Sequence, residues 1–403
     1  MSWPAGFLWG TGASSTQCEG AAPASDWWDW ERAGRAPASG DGNGFASRYA
    51  QDFELLAALG LRHHRLSIEW ARLEPELGKH DANAISHYRD VLAAARDAGI
   101  VPWVCLHHFT LPRWFAASGG FLVERNRSEL WRRHVDFVAE TFGDLVGGWQ
   151  PVNEMNIYPQ VAYGGAGFPP GRNDRAERAL ASEAIHLATF EAAARLRQTR
   201  APVASIFSLS ALVAQDDEAV TRERLERIRA THWRPGIDLF REGVLRVPGR
   251  VPVERADLAG CFDLIGFSYY AAIGVRGGTP ALHPPGAPVS PLGYGIWADG
   301  LGVVLDDLRA ALPGVPVLVA EYGIGTDDDA LRARYLARGL EVTREAIARG
   351  SDVRGFFHWT AVDNYEWLHG YDVAFGLIDR ERNVRASARV LQREARSGTR
   401  ARE

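Results

Sequence analysis

Eight short apolar segments, separated by longer segments with a helical pattern, constrain the fold of this chain more than any other feature. The predicted strands cover residues 7–10, 62–68, 101–107, 148–152, 203–208, 264–269, 317–320 and 355–359. Between them apolar residues recur at three- and four-residue spacing, as in Tyr49, Phe53 and Leu56, which is typical of amphipathic helices. Eight strands that each precede a helix predict a (β/α)8 barrel, the TIM barrel of the α/β class.

The main competing arrangement is a doubly wound open sheet, but no Gly-x-Gly-x-x-Gly follows the first strand and no phosphate-binding loop is present. The length of 403 residues would allow two or three ordinary domains, yet a barrel with long loops also reaches this size. Residues 277–291, rich in Gly and Pro, follow the sixth strand and suit a loop at the barrel rim. We therefore predict one domain over residues 1–403, with a frayed arginine-rich tail after about residue 392.

The composition excludes several classes of protein. Charged residues make up 24% and hydrophobic residues 46% of the chain, which is typical of globular and not of disordered proteins. The net charge is −5 and Lys79 is the only lysine, so no basic surface for nucleic acid or an anionic membrane is indicated. No apolar stretch has transmembrane length, and no secretion signal is evident. Because Cys18, Cys105 and Cys261 are few and far apart, we expect reduced thiols and a cytoplasmic protein.

Polar residues gather at the carboxyl ends of seven of the eight predicted strands, where barrel enzymes carry their catalytic groups. In chain order they are Gln17 and Glu19, Arg65 and Glu69, His107 and His108, Asn153 and Glu154, Ser268 with Tyr269 and Tyr270, Glu321 and Tyr322, and finally Trp359, Asp363, Asn364, Glu366 and Trp367. Each of these alone is more often a salt-bridge or hydrogen-bond partner than a catalyst. Together they predict a polar pocket with aromatic walls.

Glu154 and Glu321, at the ends of the fourth and seventh strands, are the candidate catalytic pair. Glycoside cleavage needs one carboxyl group to protonate the leaving oxygen and another to attack the anomeric carbon or to activate water there. Arg65, if it points at Glu321, would keep that carboxylate ionised. A metal site is the rival interpretation, but no strand carries a His-x-His or Asp-rich ligand set, and consecutive histidines point to opposite faces of a strand. We therefore expect neither a metal nor another cofactor.

Several motifs resemble those of the family 1 glycoside hydrolases, the β-glucosidase and β-galactosidase family, in the correct order and over nearly the whole chain. Phe7-Leu8-Trp9-Gly10 with Gln17-Cys18-Glu19-Gly20 is similar to the family opening FLWG…Q-x-EG. The other matching segments, each with the family pattern, are 65–75 (RFSISWSRLxP), 106–112 (LYHWDLP), 149–154 (WxTxNE), 317–323 (ITENG) and 358–377 (WSLxDNFEWxxGYxxRFGL). The resemblance implies a (β/α)8 barrel that acts as a retaining β-glycosidase.

The resemblance also implies a role for each matching residue. Glu154 would be the general acid/base and Glu321 the nucleophile, with Arg65 and Tyr270 holding the nucleophile. The implied sugar-binding residues are Gln17, His108, Asn153, Glu366 and Trp367 for hydroxyl groups, Trp359 as the stacking floor and Phe375 near C6. Because Glu366 is retained and no lysine lies near it, the resemblance implies a free sugar instead of a phosphorylated one.

The departures from the family pattern lie mainly on the leaving-group side. Phe109 stands where the family has Trp, Thr110 where it has Asp, Ser268 where it has Asn, and Tyr322 where it has Asn. Met155 and Asn156 replace a Pro and, often, an aromatic residue, and Tyr294 falls where many members have Trp. With smaller residues there, we expect loose discrimination among leaving groups.

We therefore predict an enzyme that hydrolyses terminal β-D-glucosyl residues, and also β-D-galactosyl or fucosyl residues, of a small glycoside or oligosaccharide. A transglycosylase of the same fold and a catalytically silent sugar-binding protein are the alternatives. A barrel aldolase or isomerase is disfavoured, because no lysine ends a strand to form a Schiff base. The natural leaving group, the preference among sugars and the oligomeric state stay open.

Overall fold

The computed structural model describes residues 2–165 and 167–400, without the side chains of residues 398–400. Its main sheet has eight parallel strands, labelled β1 to β8 in chain order. They are β1 (Leu8–Gly12), β2 (His63–Ser67), β3 (Val101–His107), β4 (Gly148–Val152), β5 (Phe207–Ser208), β6 (Ile265–Tyr269), β7 (Val317–Tyr322) and β8 (Val353–Trp359). Each overlaps one of the predicted strands, and β5 is shorter than predicted.

The sheet curls into a closed barrel. Its strand order is β4-β3-β2-β1-β8-β7-β6-β5, and closure between β4 and the segment before β5 comes from a parallel bridge between Trp149 and Val203. There the amide of Trp149 donates to the carbonyl of Pro202 at 2.8 Å, and the amide of Ala204 donates to the carbonyl of Trp149 at 2.8 Å. The predicted (β/α)8 barrel is therefore confirmed.

Helices surround the barrel, and their apolar stripes face it, as Phe53 and Leu56 show by their burial. Asp81 begins one of them by accepting hydrogen bonds from the amides of Asn83 and Ala84. The helices are Ser15–Glu19, Asp26–Arg32, Phe45–Ala58, Trp70–Leu73, Ala82–Asp97, Arg113–Ala117, Arg132–Phe142, Tyr158–Tyr163, Arg175–Leu196, Ala219–Ile228, Arg234–Glu242, Gly300–Ala311, Asp329–Ala348 and Ala388–Arg400, with π-helical turns at Asn126–Trp131 and Arg229–Trp233 and 3-10 turns at Gly120–Leu122, Ala256–Leu258 and Trp367–His369.

The interior of the barrel is filled below the carboxyl ends of the strands. An apolar cluster occupies it, consisting of Trp103, Ala204, Ile206, Leu264, Leu318, Ala320 and Phe357. Because side chains close this part of the barrel, as in other barrels of this type, a ligand can enter only from the opposite, carboxyl-end face.

A small three-stranded sheet covers part of that face. It combines Ala211–Ala214, which follows β5, with the hairpin Ala272–Arg276 and Thr279–Ala281, which follows β6. A second small sheet pairs Val244–Leu245 with Val253–Glu254. The Gly- and Pro-rich segment 277–291 thus begins within the hairpin and continues as a loop toward the barrel mouth.

The end of the chain differs from the prediction of a frayed tail after about residue 392. Helix Ala388–Arg400 continues through that segment, and Ala395 is buried. Glu394 accepts hydrogen bonds from Trp3 Nε1 at 2.8 Å and from Arg344 at 2.7 Å, and Arg396 donates to the carbonyl of Ala58 at 3.0 Å. These contacts hold the helix against the barrel as far as residue 396, which is further than the prediction placed the ordered chain; residues 401–403 lie outside the described residues. In the described ranges no helix is long and apolar enough to cross a membrane.

Candidate active site

One cavity at the carboxyl ends of the strands brings the predicted site residues together. It is lined by Gln17, His108, Phe109, Asn153, Glu154, Ile157, Val161, Phe168, Ser208, Tyr270, Leu292, Tyr294, Glu321, Trp359, Glu366, Trp367 and Phe375. Arg65 is fully buried behind its wall. The cavity measures about 230 Å³, which is below the range of roughly 300–1,000 Å³ that holds larger ligands, so it suits a single small ring.

Glu321, near the end of β7, is held by two donors. Its Oε1 accepts a hydrogen bond from Arg65 Nη1 at 2.9 Å, and its Oε2 accepts one from the Tyr270 hydroxyl at 2.6 Å. Burial raises the pKa of Glu321 above the usual carboxyl range, while Arg65 and Tyr270 act in the opposite direction. The expected contact between Arg65 and Glu321 is therefore present, and it limits a rise in pKa without reversing it.

Arg65 also connects Glu321 to two other side chains of the cavity. Its Nη2 donates to Asn153 Oδ1 at 2.7 Å, and Asn153 Nδ2 lies 3.5 Å from His108 Nε2. Burial lowers the pKa of His108 well below its usual range, so its ring is neutral. His107, the neighbouring histidine on the other face of the strand, does not line the cavity and packs against Phe121. The buried guanidinium thus fixes a carboxylate, an amide and, through the amide, an imidazole.

Glu154 lies two residues after the end of β4 in a left-handed backbone conformation, with φ of 46°. The Ser268 hydroxyl donates a hydrogen bond to its Oε1. Burial, and then the negative charge of Glu321, raise the pKa of Glu154 to about 7, against a smaller lowering effect of Ser268. A carboxyl group with that pKa can carry a proton near neutral pH and give it to a leaving group.

Glu366, on the loop after β8, is the third carboxyl group of the cavity. Gln17 Nε2 donates to its Oε2 at 3.2 Å and to the carbonyl of Tyr365 at 2.9 Å. The orientation of that amide is fixed, because the Ser14 hydroxyl donates to Gln17 Oε1 at 2.7 Å. Burial, and then the charges of Glu321 and Glu154, raise the pKa of Glu366 to about 8. Three carboxyl groups therefore share one cavity with a single buried guanidinium close by.

Aromatic rings form the rest of the sugar-sized part of the cavity. The His108 ring is nearly parallel to the rings of Trp359 and Trp367, at 5.7 and 6.0 Å between centroids. Trp359 fits because Gly12 has no side chain: a Cβ there would lie 2.8 Å from Trp359 Cε3. Flat apolar faces beside polar groups suit a ligand with one apolar face and several hydroxyl groups.

Backbone strain is concentrated at this cavity. Of the four non-glycine residues with positive φ in the described part of the chain, three line it, namely Phe109, Glu154 and Trp367. Such conformations cost roughly 1–3 kcal/mol each and are found mainly where function requires them. Their location favours this cavity over other hollows of the surface as the functional site.

The comparisons with known proteins agree with this geometry. The family model for glycosyl hydrolase family 1 matches residues 1–243 and 252–398. The chain belongs to glycosyl hydrolase family 1. It is therefore a glycoside hydrolase with the β-glycosidase activity of that family.

This family 1 hydrolase is only distantly similar to its named relatives. It is 28% identical to the coniferin beta-glucosidase of Pinus contorta, over 93% of this chain and 87% of that protein. It is 29% identical to the bifunctional beta-D-glucosidase/beta-D-fucosidase of Bifidobacterium breve, over 94% of this chain and 93% of that protein. The structure of a beta-glycosidase from Pyrococcus horikoshii matches with a TM-score of 0.89 and 30% identity, covering 98% and 95% of the two chains. A family 1 b-glucosidase from Thermotoga maritima in complex with isofagomine lactam matches with a TM-score of 0.90, 21% identity and coverage of 98% and 99%, and supports the fold alone.

Asn156 does not line the cavity of the hydrolase. It is fully buried, and its side chain bonds to the backbone: Nδ2 donates to the carbonyls of Ser208 at 2.7 Å and His232 at 2.9 Å, and Oδ1 accepts from the amide of Ser208 at 2.9 Å. Asn156 is therefore not a wall residue of the cavity, and the expectation of loose discrimination among leaving groups stays a prediction. Tyr294, the other residue behind that expectation, does line the cavity.

Five lining residues were not singled out from the sequence: Ile157, Val161, Phe168, Ser208 and Leu292. Ser208 had a detectable signal, because it is the polar residue at the end of the fifth predicted strand. Ile157 and Val161 follow Glu154 at helical spacing. This spacing identifies them as cavity residues only once the direction of the chain after Glu154 is known. Phe168 and Leu292 lie in loops without a local pattern.

A buried carboxylate next to the cavity explains the departure at Thr110. Glu69 Oε2 accepts hydrogen bonds from the hydroxyls of Ser15 at 3.0 Å, Thr16 at 3.3 Å and Thr110 at 2.8 Å. The family pattern has Ser at position 69 and Asp at position 110. In this chain the acid stands at position 69 and the hydroxyl residue at position 110, so the two residue types have changed places. The contact still ties the helix that carries Gln17 to the loop after β3. Among the described side chains, no group of three or more His, Cys, Asp or Glu residues could hold a metal ion.

Proposed function

We propose that this hydrolase is a retaining β-glycosidase that releases terminal β-D-glucosyl residues, and also β-D-galactosyl or fucosyl residues, by double displacement. One observation carries the proposal: two buried carboxyl groups face one cavity, and their hydrogen-bond partners differ. Glu321 accepts bonds from the Arg65 guanidinium and the Tyr270 hydroxyl, whereas Glu154 contacts a serine hydroxyl and has its pKa raised to about 7. The better stabilised carboxylate is the nucleophile, and the group that is more easily protonated is the acid.

In the first step Glu321 attacks the anomeric carbon while Glu154 gives its proton to the glycosidic oxygen. The products are a glycosyl ester on Glu321 and the released alcohol or phenol. Ester formation removes the charge of Glu321, which is one of the two causes that raise the pKa of Glu154. The pKa of Glu154, which has already lost its proton to the leaving group, therefore falls, so Glu154 stays ionised and can act as the base of the second step.

In the second step ionised Glu154 takes a proton from water, and the oxygen of that water attacks the anomeric carbon. The bond between the sugar and Glu321 breaks, and the sugar leaves with its original β configuration. The free Glu321 carboxylate again accepts hydrogen bonds from Arg65 and Tyr270. Glu154 is protonated again, so the enzyme ends the cycle in the protonation state in which it began.

For the sugar we assign hydroxyl contacts to Gln17, His108, Asn153, Glu366 and Trp367, stacking to Trp359, and the wall near C6 to Phe375. The placement of these residues around a cavity of about 230 Å³ supports one bound sugar ring. The carboxyl group of Glu366 can hydrogen-bond to two neighbouring hydroxyls, O4 and O6, and these bonds become charge-assisted when it is ionised. A carboxylate reaches both equatorial and axial O4, which supports cleavage of glucosides and galactosides alike.

For the leaving group we propose an apolar aryl or alkyl alcohol. Four apolar side chains of the cavity wall, Ile157, Val161, Phe168 and Leu292, are not among those assigned to the sugar. None of these four side chains can hydrogen-bond to the hydroxyls of a second sugar, whereas an apolar group gains from burial against them. Aryl and alkyl glucosides should therefore be cleaved at least as well as cellobiose.

We also infer that residues 1–403 form a single domain, supported by the contact of Trp3 with Glu394 that joins the two ends of the chain. A cytoplasmic location stays a prediction from cysteine usage; Cys18, Cys105 and Cys261 are free and buried.

A panel of nitrophenyl β-glycosides at several pH values, followed by proton NMR of the first product, tests the proposal. We expect glucoside, galactoside and fucoside to be cleaved within about two orders of magnitude of one another, with mannoside slower because transition-state bonds at the 2-hydroxyl matter most. The β anomer should appear first. Glu321→Gly should be inactive and regain turnover with azide, giving the α-glycosyl azide. An α sugar from the parent enzyme would show inversion and contradict the proposal, and added alcohol acceptors would reveal a dominant transglycosylase.

A further inference from the structure

Ser268 occupies a special position relative to the two catalytic candidates. It lies on β6, where the strand register pairs it with Ser208 of β5 on one side and with Glu321 of β7 on the other. Its side chain is buried, with 1% of its surface exposed. From there its hydroxyl contacts Oε1 of Glu154, 114 residues earlier in the chain.

The hydroxyl of Ser268 has one proton to donate and two acceptors within reach. One is Glu154 Oε1, and the other is the carbonyl of Phe207, at 3.4 Å. When Glu154 is ionised its carboxylate is the stronger acceptor of the two, because hydrogen bonds to a charged acceptor are about twice as strong as neutral ones. The hydroxyl proton of Ser268 therefore points at Oε1 of Glu154. If Oε1 carried the carboxyl proton as well, the two protons would face each other.

We propose that Ser268 is the positioning residue of the acid/base: by holding Oε1 of Glu154 it leaves Oε2 as the oxygen that exchanges the catalytic proton. This inference rests on the proposed function of Glu154. In the first step the proton on Oε2 passes to the glycosidic oxygen, and in the second step Oε2 receives a proton from water. Ser268 keeps its own proton throughout and contacts neither the sugar nor the leaving group.

Several other groups face Glu154 and must stay constant in a test. Glu321 and Arg65 are the charged neighbours of Glu154, and the Ser208 hydroxyl is a second polar neighbour. Across the cavity, the charge of Glu154 raises the pKa values of Glu366 and Tyr270. Ser268 differs from Glu321 and Arg65 because its hydrogen bond favours the ionised form of Glu154 without adding a charge, and the Ser208 hydroxyl acts in the same direction with a smaller effect.

The test is Ser268→Ala, compared with the parent enzyme in two measurements. Carboxyl 13C NMR on enzyme labelled at glutamate follows the titration of Glu154 directly, with its signal assigned by its absence in Glu154→Gln. We expect the titration midpoint to move up by about one pH unit, because a donor to the ionised form is lost. At the pH optimum kcat/KM should fall roughly tenfold for alkyl glucosides and less than about twofold for dinitrophenyl glucoside, which needs little protonation.

Matched variants separate positioning from packing. Ser205→Ala removes another buried barrel hydroxyl, which bonds only to the backbone of Gly266, at 3.0 and 3.1 Å, and should leave the Glu154 titration unchanged. Ser268→Thr keeps a hydroxyl and should keep the parent titration. If Ser268→Ala does not melt cooperatively, Ser268→Cys replaces it with the same expectation, because a thiol is a similar-sized but weak donor.

An unchanged titration in folded Ser268→Ala or Ser268→Cys overturns the inference, as does an equal shift in Ser205→Ala. Equal losses on alkyl and dinitrophenyl glucosides overturn it as well. If the parent enzyme cleaves no glycoside of the panel, the proposed function fails instead, and the NMR titration still decides whether Ser268 controls the protonation of Glu154.

Discussion

The hydroxyl of Tyr270 offers a sharp test of how the nucleophile is kept ionised. It donates to Glu321 Oε2 at 2.6 Å, while Arg65 keeps its separate bond to Oε1. Tyr270→Phe removes the first bond and leaves the second. Because the lost bond favours ionised Glu321, the already raised pKa of this carboxyl group must rise further.

The size of the effect follows from the strength of the bond. A hydrogen bond to a charged group contributes roughly 1.5–3 kcal/mol, and 1.36 kcal/mol corresponds to one pKa unit. Part of the bond is retained when Glu321 is protonated and accepts from the hydroxyl, so the lower end of that range applies. We expect the acid limb of the kcat/KM profile to move up by about one pH unit, which means about tenfold less activity at any pH on that limb.

The assay is the pH dependence of kcat/KM for nitrophenyl glucoside, with Tyr269→Phe as the matched control. Tyr269 is the neighbouring tyrosine, and its hydroxyl donates to the carbonyl of Trp297 at 2.7 Å, away from the cavity. The control should lose about 1 kcal/mol of unfolding free energy and keep the parent profile. An acid limb that stays in place in Tyr270→Phe, or one that moves equally in both variants, would refute the reasoning.

Three further predictions follow from the other carboxyl groups. The basic limb of the parent profile should lie near pH 7, because activity needs Glu154 protonated and its pKa is raised to about 7; Glu154→Ala should harm alkyl glucosides far more than dinitrophenyl glucoside, and equal harm would exclude the acid role. Glu366→Ala should lower kcat/KM by roughly 2–3 kcal/mol, about 30- to 150-fold; unchanged kinetics on nitrophenyl glucoside would make it a turn residue only. Glu69→Gln should lower the unfolding free energy by about 1–3 kcal/mol and raise KM more than it lowers kcat, because three hydroxyls lose a charged acceptor; thermal melts and initial rates measure both, and a fall in kcat alone would contradict a positioning role.

Most of the fold could be read from the sequence, because strand and helix periodicity are local properties of the chain. The third and fourth strands, Val101–His107 and Gly148–Val152, have the predicted bounds. The last helix was missed because its residues 393–400 are rich in arginine and look solvated in isolation. Its stabilising contacts, from Trp3 and Arg344 to Glu394, join residues that lie 391 and 50 positions apart.

The candidate site was also largely readable, for a topological reason. Parallel strands of a closed barrel present all their carboxyl ends on one face, so residues that follow different strands must meet there. That is why Gln17, Asn153, Glu321 and Glu366 line one cavity although long segments separate them. The direction of the chain after each strand is not set by this rule. After the left-handed residue Glu154, Asn156 bonds to the backbone of Ser208 and Ile157 lines the cavity, and the sequence alone does not show either position.

By itself, then, the sequence indicated which residues at the strand ends meet at the mouth of the barrel, since that depends on periodicity and on the topology of parallel strands. Only the tertiary structure decided what these residues do to one another. Glu154 and Glu321 are the same residue type at the same kind of position, and their difference comes from Arg65 and Tyr270 on one and Ser268 on the other. Protonation depends on burial and on contacts of a few ångströms, and such distances between residues from different strands exist only once the barrel has closed.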